Sequence, residues 1–146
     1  YGTWSALSAL GAIGMRADAP EIRKAVSWLV SIQNEDGGWG EGGDSYKLDY
    51  RGHEACKSSV SQTSWALLGL MAAGKTDHPA VEKGIGYLLR VQEEDGLWSE
   101  EHYSGTGFPR VFYLRYHGYT KYFPLWALAR YRNLKQTNSR DVRYGV

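Results

Sequence analysis

The chain has 146 residues, 42% of them hydrophobic and 23% charged, with a formal net charge of +1. A chain of this length is one domain or a piece of one, able to bury about 70% of its unfolded surface. Scattered, sign-balanced charges argue against a nucleic-acid partner, and a single cysteine, Cys56, leaves no internal disulfide framework and fits a reducing compartment.

No secretory signal heads the chain. Tyr1 already stands inside a running pattern, so a longer polypeptide is expected. Residues 3–13 are nearly apolar on every side, the pattern of a helix buried on most faces. Gly14 can supply a left-handed C-terminal cap. Asp18 is placed as the next N-cap, with Pro20 in the first turn, where a missing N–H costs little. The second helix carries Ile22, Ala25, Val26, Leu29 and Ile32 at helical spacing, with Glu21, Arg23 and Lys24 elsewhere. It ends at Gln33, where the segment QNEDGGWGE begins. A Gly- and charge-rich stretch over 41–59 follows, read as a surface loop whose length suggests contact with another domain.

The pattern is then written again. Thr3, Ala6, Leu7, Leu10, Ala12 and Gly14 reappear as Thr63, Ala66, Leu67, Leu70, Ala72 and Gly74. Asp18, Pro20, Lys24 and Leu29 reappear as Asp77, Pro79, Lys83 and Leu88, and Gln33, Gly37 and Trp39 as Gln92, Gly96 and Trp98. Residues 58–74 are uncharged, but they contain Ser, Gln and Thr, and their apolar part is too short for a spanning helix of about 20 residues. The second amphipathic helix sets Val81, Ile85, Leu88 and Val91 on one face. A third half-copy, FPLWALARY, lies in a polar terminal helix over 122–135. Repeats of this period build stacked supersecondary units. The predicted fold class is all-α, an α/α toroid of tandem helix hairpins.

The repeated Gln-x-x-x-Gly-x-Trp has a structural use. Carbonyls at a helix C-terminus lack intrahelical partners. A Gln there can donate to them and accept from the N-terminus of an adjacent helix, tying repeats together. Gly permits the tight reversal, and Trp covers the turn with a large apolar face while offering one N–H. Gln33, Gly37, Trp39, Gln92, Gly96 and Trp98 are therefore read as staples rather than as reacting groups.

The fuller pattern is Lys-Ala/Gly-x-x-aromatic-Leu-x-x-x-Gln-x-x-x-Gly-x-Trp. Lys24, Ala25, Trp28, Leu29, Gln33, Gly37 and Trp39 fit it, as do Lys83, Gly84, Tyr87, Leu88, Gln92, Gly96 and Trp98. It closely resembles the QW motif of triterpene cyclases. The segments YGTWSALSALGAIG, SQTSWALLGLMAAG and GTGFPRVFYLRYHGYTKYFPLWALARY resemble the C-terminal part of the squalene-hopene cyclases. The resemblance covers nearly the whole chain and implies the C-terminal part of an (α/α)6 barrel over 1–146, with 136–146 as a flexible tail.

Such enzymes fold squalene into a nonpolar cavity, protonate a terminal alkene and close rings through carbocations, the last cation losing a proton or capturing water. The family's acid belongs to a D-x-D-D-T motif absent here: Asp44 and Asp49 have neither its spacing nor its context. No catalytic acid is therefore assigned, and every carboxylate is expected to keep an ordinary acidity. The resemblance instead implies cavity wall. Phe108 and Phe112, in GFPRVF, match a pair of phenylalanines near the later cations, and Tyr113, Tyr116 and Tyr119 match neighbouring aromatic positions. Tyr1 matches a tyrosine that supports the water network recharging the acid. The implied partners are squalene, the rest of the cyclase chain, a peripheral membrane contact and a homodimer, with no cofactor and no metal. The implied location of the full-length enzyme is the cytoplasmic side of a bacterial membrane, as a monotopic protein, with the piece itself soluble.

Other readings carry less. His53 and Cys56, near Asp49, invite zinc, but a second histidine is missing from any sensible place. His78 reads as a helix-start residue, and His102 and His117 as loop residues. Phosphate-binding loops and nucleophile elbows are absent, as is a Cys-Gly-Glu-Gln thioester segment. An oxidosqualene-type or other class II terpene cyclase, and a noncatalytic α/α repeat module that binds a hydrophobic partner, remain as alternatives. The GTGFP segment favours squalene over oxidosqualene.

Overall fold

A computed structural model describes residues 1–43, 52–105 and 114–136. The elements among them are α1 (Gly2–Ala12), α2 (Pro20–Ser31), β1 (Trp39–Glu41), β2 (Ala55–Ser59), α3 (Val60–Ala72), α4 (Pro79–Arg90) and α5 (Tyr119–Lys135). Helix α3 is the hub: it packs on α1, α5, α4 and α2, and on both strands. Nearly all of its residues are buried. α2 and α4 bury one face each, Ile22, Val26 and Leu29 in one and Val81, Ile85 and Leu88 in the other, as their 3.6-residue spacing requires. These side chains meet Leu67, Leu70 and Met71 in one continuous core.

The helix ends follow local chemistry. Gly14 (φ 78°) and Gly74 (φ 70°) are left-handed. In each, the following residue donates back across the last turn, Met15 to Leu10 and Lys75 to Leu70, both at 3.0 Å. The starts depart from expectation. Asp18 and Asp77 are not caps; the N-cap positions are Ala19 and His78. Proline favours the first helical position, so the residue directly before Pro20 or Pro79 takes the cap. His78 accepts from the Ala80 N–H through Nδ1 at 3.1 Å. Asp18 pairs with Arg16 at 2.7 Å, and Asp77 with Lys135 at 2.8 Å.

Three further features differ from the predicted elements. The stretch over 41–59 is not loop throughout: Ala55–Ser59 forms β2, antiparallel to β1, with Trp39 opposite Ser59 and Glu41 opposite Ala55. Alternation in Cys56, Ser58 and their neighbours is too weak a signal beside the glycines to announce it. α1 buries only Leu7, although its sequence is as apolar as that of α3. Among the described residues it packs chiefly on α3 and more lightly on α2, whereas α3 is covered by four helices and both strands. α5 begins at Tyr119, ahead of the predicted start at 122; it buries Pro124, Ala127 and Leu134 and packs along α3 in the manner of α1.

Close approach explains one sequence detail. A Cβ on Gly84 of α4 would lie 2.8 Å from both Leu67 and the Trp39 ring. Only glycine lets the Trp39 indole lie against α4.

Candidate functional site

Helices α1, α3 and α5 together carry a cluster of aromatic rings. Tyr119, Phe123 and Trp126 lie at i, i+4 and i+7 on α5 and so share one face. Tyr1 precedes α1 and Trp4 follows one turn later, while Trp65 comes from the second turn of α3. Trp4 meets Phe123 and Trp126 edge-on, at 5.5 and 5.9 Å between ring centres. Trp65 meets Tyr119 at 5.5 Å and Phe123 at 5.4 Å, again edge-on. Tyr1 closes the set against Trp4 at 5.4 Å and Trp65 at 5.2 Å. Tyr116 stacks on Tyr119 with centres 4.9 Å apart and planes 15° apart. Beside the cluster opens a cavity of about 450 Å³, lined among others by Tyr1, Trp4, Trp65, Trp39 and Gln62. Ring faces attract cations by about 0.5–2 kcal/mol each, more when dry, and they offer no strong nucleophile.

The two repeated turns hold the helices that present this cluster. Gln33 Nε2 donates to the Gly37 carbonyl at 2.8 Å and to the Ala80 carbonyl, in the first turn of α4, at 2.9 Å. The tie between repeats is thus a donated bond to a carbonyl; the sequence reading had Gln accepting from the helix N-terminus. Trp39 Nε1 donates to Leu29 at 2.8 Å and Trp98 Nε1 to Leu88 at 2.9 Å, each satisfying a carbonyl near the end of its own helix. Gln92 donates to Gly96 at 2.8 Å and stands exposed.

A carboxylate that the sequence reading passed over is partly buried at the α3 N-terminus. Glu100 accepts from the Ser61 N–H at 3.1 Å and the Ser61 hydroxyl at 2.9 Å. Ser59 caps the same helix through the Gln62 N–H at 3.3 Å. Burial pushes the Glu100 carboxyl above its ordinary value, and the bonds from Ser61 and the nearby Arg115 offset part of that rise. Ordinary acidity for every carboxylate is therefore corrected at this position. Glu100 acts on the helix end, where negative charge is favoured.

The squalene-hopene cyclase C-terminal domain model matches residues 1–133. The chain belongs to that family. It is 66% identical to squalene-hopene cyclase of Bradyrhizobium diazoefficiens and 64% identical to that of Zymomonas mobilis, each over the whole chain and 22% of the relative's length. It is 39% identical to lanosterol synthase of Mus musculus over 95% of the chain and 19% of that relative. The chain therefore spans about a fifth of the length of the curated relatives it matches.

Of the residues singled out by the squalene-hopene cyclase resemblance, Tyr1, Tyr116 and Tyr119 come together in the aromatic cluster. Phe108, Phe112 and Tyr113 lie outside the described residues, as do Asp44, Asp49 and all of 137–146, most of the expected tail. His53 sits edge-on to Trp28 at 6.1 Å, and among the described residues no three His, Cys, Asp or Glu gather as a metal site would require. No helix among the described residues is long and apolar enough to cross a membrane. Trp4, Trp65, Phe123 and Trp126 were missed as members of the cluster. One signal was available: Tyr1-x-x-Trp4 recurs as Phe123-x-x-Trp126 in the third half-copy.

Proposed function

We propose that this chain is the C-terminal part of a squalene-hopene cyclase, an isomerase-type class II terpene cyclase that closes squalene into pentacyclic hopene or hopanol through carbocations. Its contribution is one wall of the reaction cavity. The observation that carries this reading is the cluster joining Tyr116, Tyr119 and Tyr1 through Trp65 and Phe123. A cascade of tertiary cations needs surroundings that stabilise positive charge without capturing it. Packed rings do this: their faces are electron-rich and their centres are fixed by mutual edge contacts. By the family resemblance, Phe108 and Phe112 would stabilise the later cations, Tyr113, Tyr116 and Tyr119 would support or line the wall, and Tyr1 would support proton return to an acid elsewhere in the enzyme. The QW turns, through Gln33 and Trp39 and again Gln92 and Trp98, hold the helices so that the wall keeps its shape while charge moves along it.

With no D-x-D-D-T motif in the sequence, the proton is expected to come from elsewhere in the full-length enzyme. Protonating an alkene needs a strong acid held in place, and Glu100, the carboxyl raised by burial, is occupied with Ser61. The full-length enzyme would meet its hydrocarbon substrate at the cytoplasmic face of a bacterial membrane, as a peripheral protein and a homodimer. The test is product analysis of the full-length cyclase. Phe112→Ala, and likewise Phe108→Ala, should release partially cyclised products. A normal product spectrum at normal rate from both variants would remove them from the wall. Incubated with squalene, residues 1–146 alone should yield no pentacyclic product by gas chromatography. Turnover there would place an acid within this chain.

A further inference from the structure

We propose that Trp65 is a positioning residue for the cyclisation, setting the angles of Tyr119 and Tyr1 at once. The inference rests on the reading of Tyr119 as cavity wall. Trp65 is 2% exposed and sits at the centre of the aromatic cluster. Its ring lies 5.2 Å from Tyr1 at 82°, 5.5 Å from Tyr119 at 82° and 5.4 Å from Phe123 at 77°. One indole on α3 therefore makes edge contacts with three rings, one preceding α1 and two on α5. Edge-to-face contacts depend on angle because the ring edge is positive and the face negative. Moving Trp65 turns its partners.

Two observations separate this role from filling space. Among the described residues the buried Trp65 Nε1 has no hydrogen-bond partner, and such an N–H is costly to bury. Leu or Phe would fill a core site without that cost, so bulk alone does not account for an indole here. Tyr1, moreover, is 59% exposed and meets only Trp4 and Trp65 among the ring pairs described, so half of its aromatic support comes from this one residue. Tyr119 is stacked by Tyr116 on one side and met edge-on by Trp65 and Phe123. Of these partners, only Trp65 also meets Tyr1 among the ring pairs described. It links the two tyrosines that the reaction would use at different stages.

The experiment uses the full-length cyclase with Trp65→Leu, Trp65→Phe and, as reference, Tyr119→Leu, with squalene products resolved by gas chromatography and kcat and KM measured separately. Trp65→Leu should raise the ratio of incompletely to fully cyclised product about fivefold, the loss of one to two edge contacts in the partitioning step. It should lower kcat with KM held, since orientation acts on the transition state. Trp65→Phe keeps a ring edge and should recover most of the normal spectrum, leaving a rise of about twofold. If Tyr119→Leu shifts the products while both Trp65 variants keep the parental ratio and lose only thermal stability, Trp65 is core filling and the proposal is overturned. If Tyr119→Leu itself leaves the products unchanged, the wall reading falls and this inference falls with it. Should Trp65→Leu not fold, the Trp65→Phe ratio decides alone, and a parental value overturns the proposal.

Discussion

At the end of α2, Gln33 bonds both its own turn and the first turn of α4, and its neighbours are tied down further. Asn34 donates to Cys56 and Ser58, both at 2.9 Å, and Arg90 donates to the Asp36 carbonyl at 2.6 Å. At the end of α4 the same motif makes the same local bonds, yet Gln92 to Leu97 are all exposed. The backbone turn is equally formed in both: Asn34 donates to Gly38 at 3.0 Å and Glu93 to Leu97 at 2.9 Å. The motif therefore folds on local instructions, and tertiary anchoring is a separate property that a following repeat supplies. α1 and α3 teach the same lesson with an apolar pattern in place of a polar one.

Four measurements would break or sharpen that comparison. Trp39→Ala and Trp98→Ala should each destabilise by about 3–5 kcal/mol, because both rings are buried and both indoles satisfy a helix carbonyl. Near-equal shifts in urea midpoint are expected; a cost at Trp39 alone would mean that the second turn is not stapled. Gly84→Ala should cost about 1–3 kcal/mol by driving a methyl into Leu67 and Trp39. Thermal unfolding with an unchanged midpoint would show that α4 can slide away from the first turn.

The glutamines test the anchoring difference directly. Gln33→Ala should cost about 1–2 kcal/mol, since it leaves Ala80 and Gly37 carbonyls short of a donor, while Gln92→Ala should cost about 0.5 kcal/mol. Equal costs in parallel denaturation curves would erase the distinction between the turns. The smallest effect concerns Glu100, whose folded carboxyl is raised by burial. In the window from the ordinary Glu value up to the raised one, the folded state holds the proton more tightly than the unfolded state does. Glu100 thus contributes stability below the ordinary value, and that contribution is lost as pH climbs through the folded value. Glu100→Gln should flatten this limb of the stability-versus-pH curve, and an unaltered limb would assign it to another group.

What was legible in the sequence was local. Gly14 and Gly74 announced their caps, Pro20 and Pro79 their helix starts, and the spacing of Ile22, Val26 and Leu29 its buried face. Asp18 and Asp77 misled because a capping residue and a helix-initiating proline were both present and the proline decides the position. β2 was hidden because its pairing with β1 depends on a partner far along the chain. Burial of α1 could not be read from its own residues, since an all-round apolar helix states only what it would bury if neighbours were supplied. The aromatic cluster lay furthest from view: Trp65 and Phe123 are 58 positions apart, and nothing in either segment names the other.

Pro124 gives α5 a seam. Without an N–H it cannot bond back to the Thr120 carbonyl, so one rung of the ladder is missing at the sixth residue of the helix. Tyr119 and Phe123 lie ahead of that missing rung and Trp126 behind it. The neighbouring rungs still hold the turn bearing Tyr119, among them Tyr122 N–H to the Gly118 carbonyl at 2.8 Å, but with one bond fewer than a continuous ladder. Amide hydrogens ahead of Pro124 should therefore exchange with solvent sooner than those near Ala127. A wall built this way has its weakest backbone bracing on the side of its tyrosine.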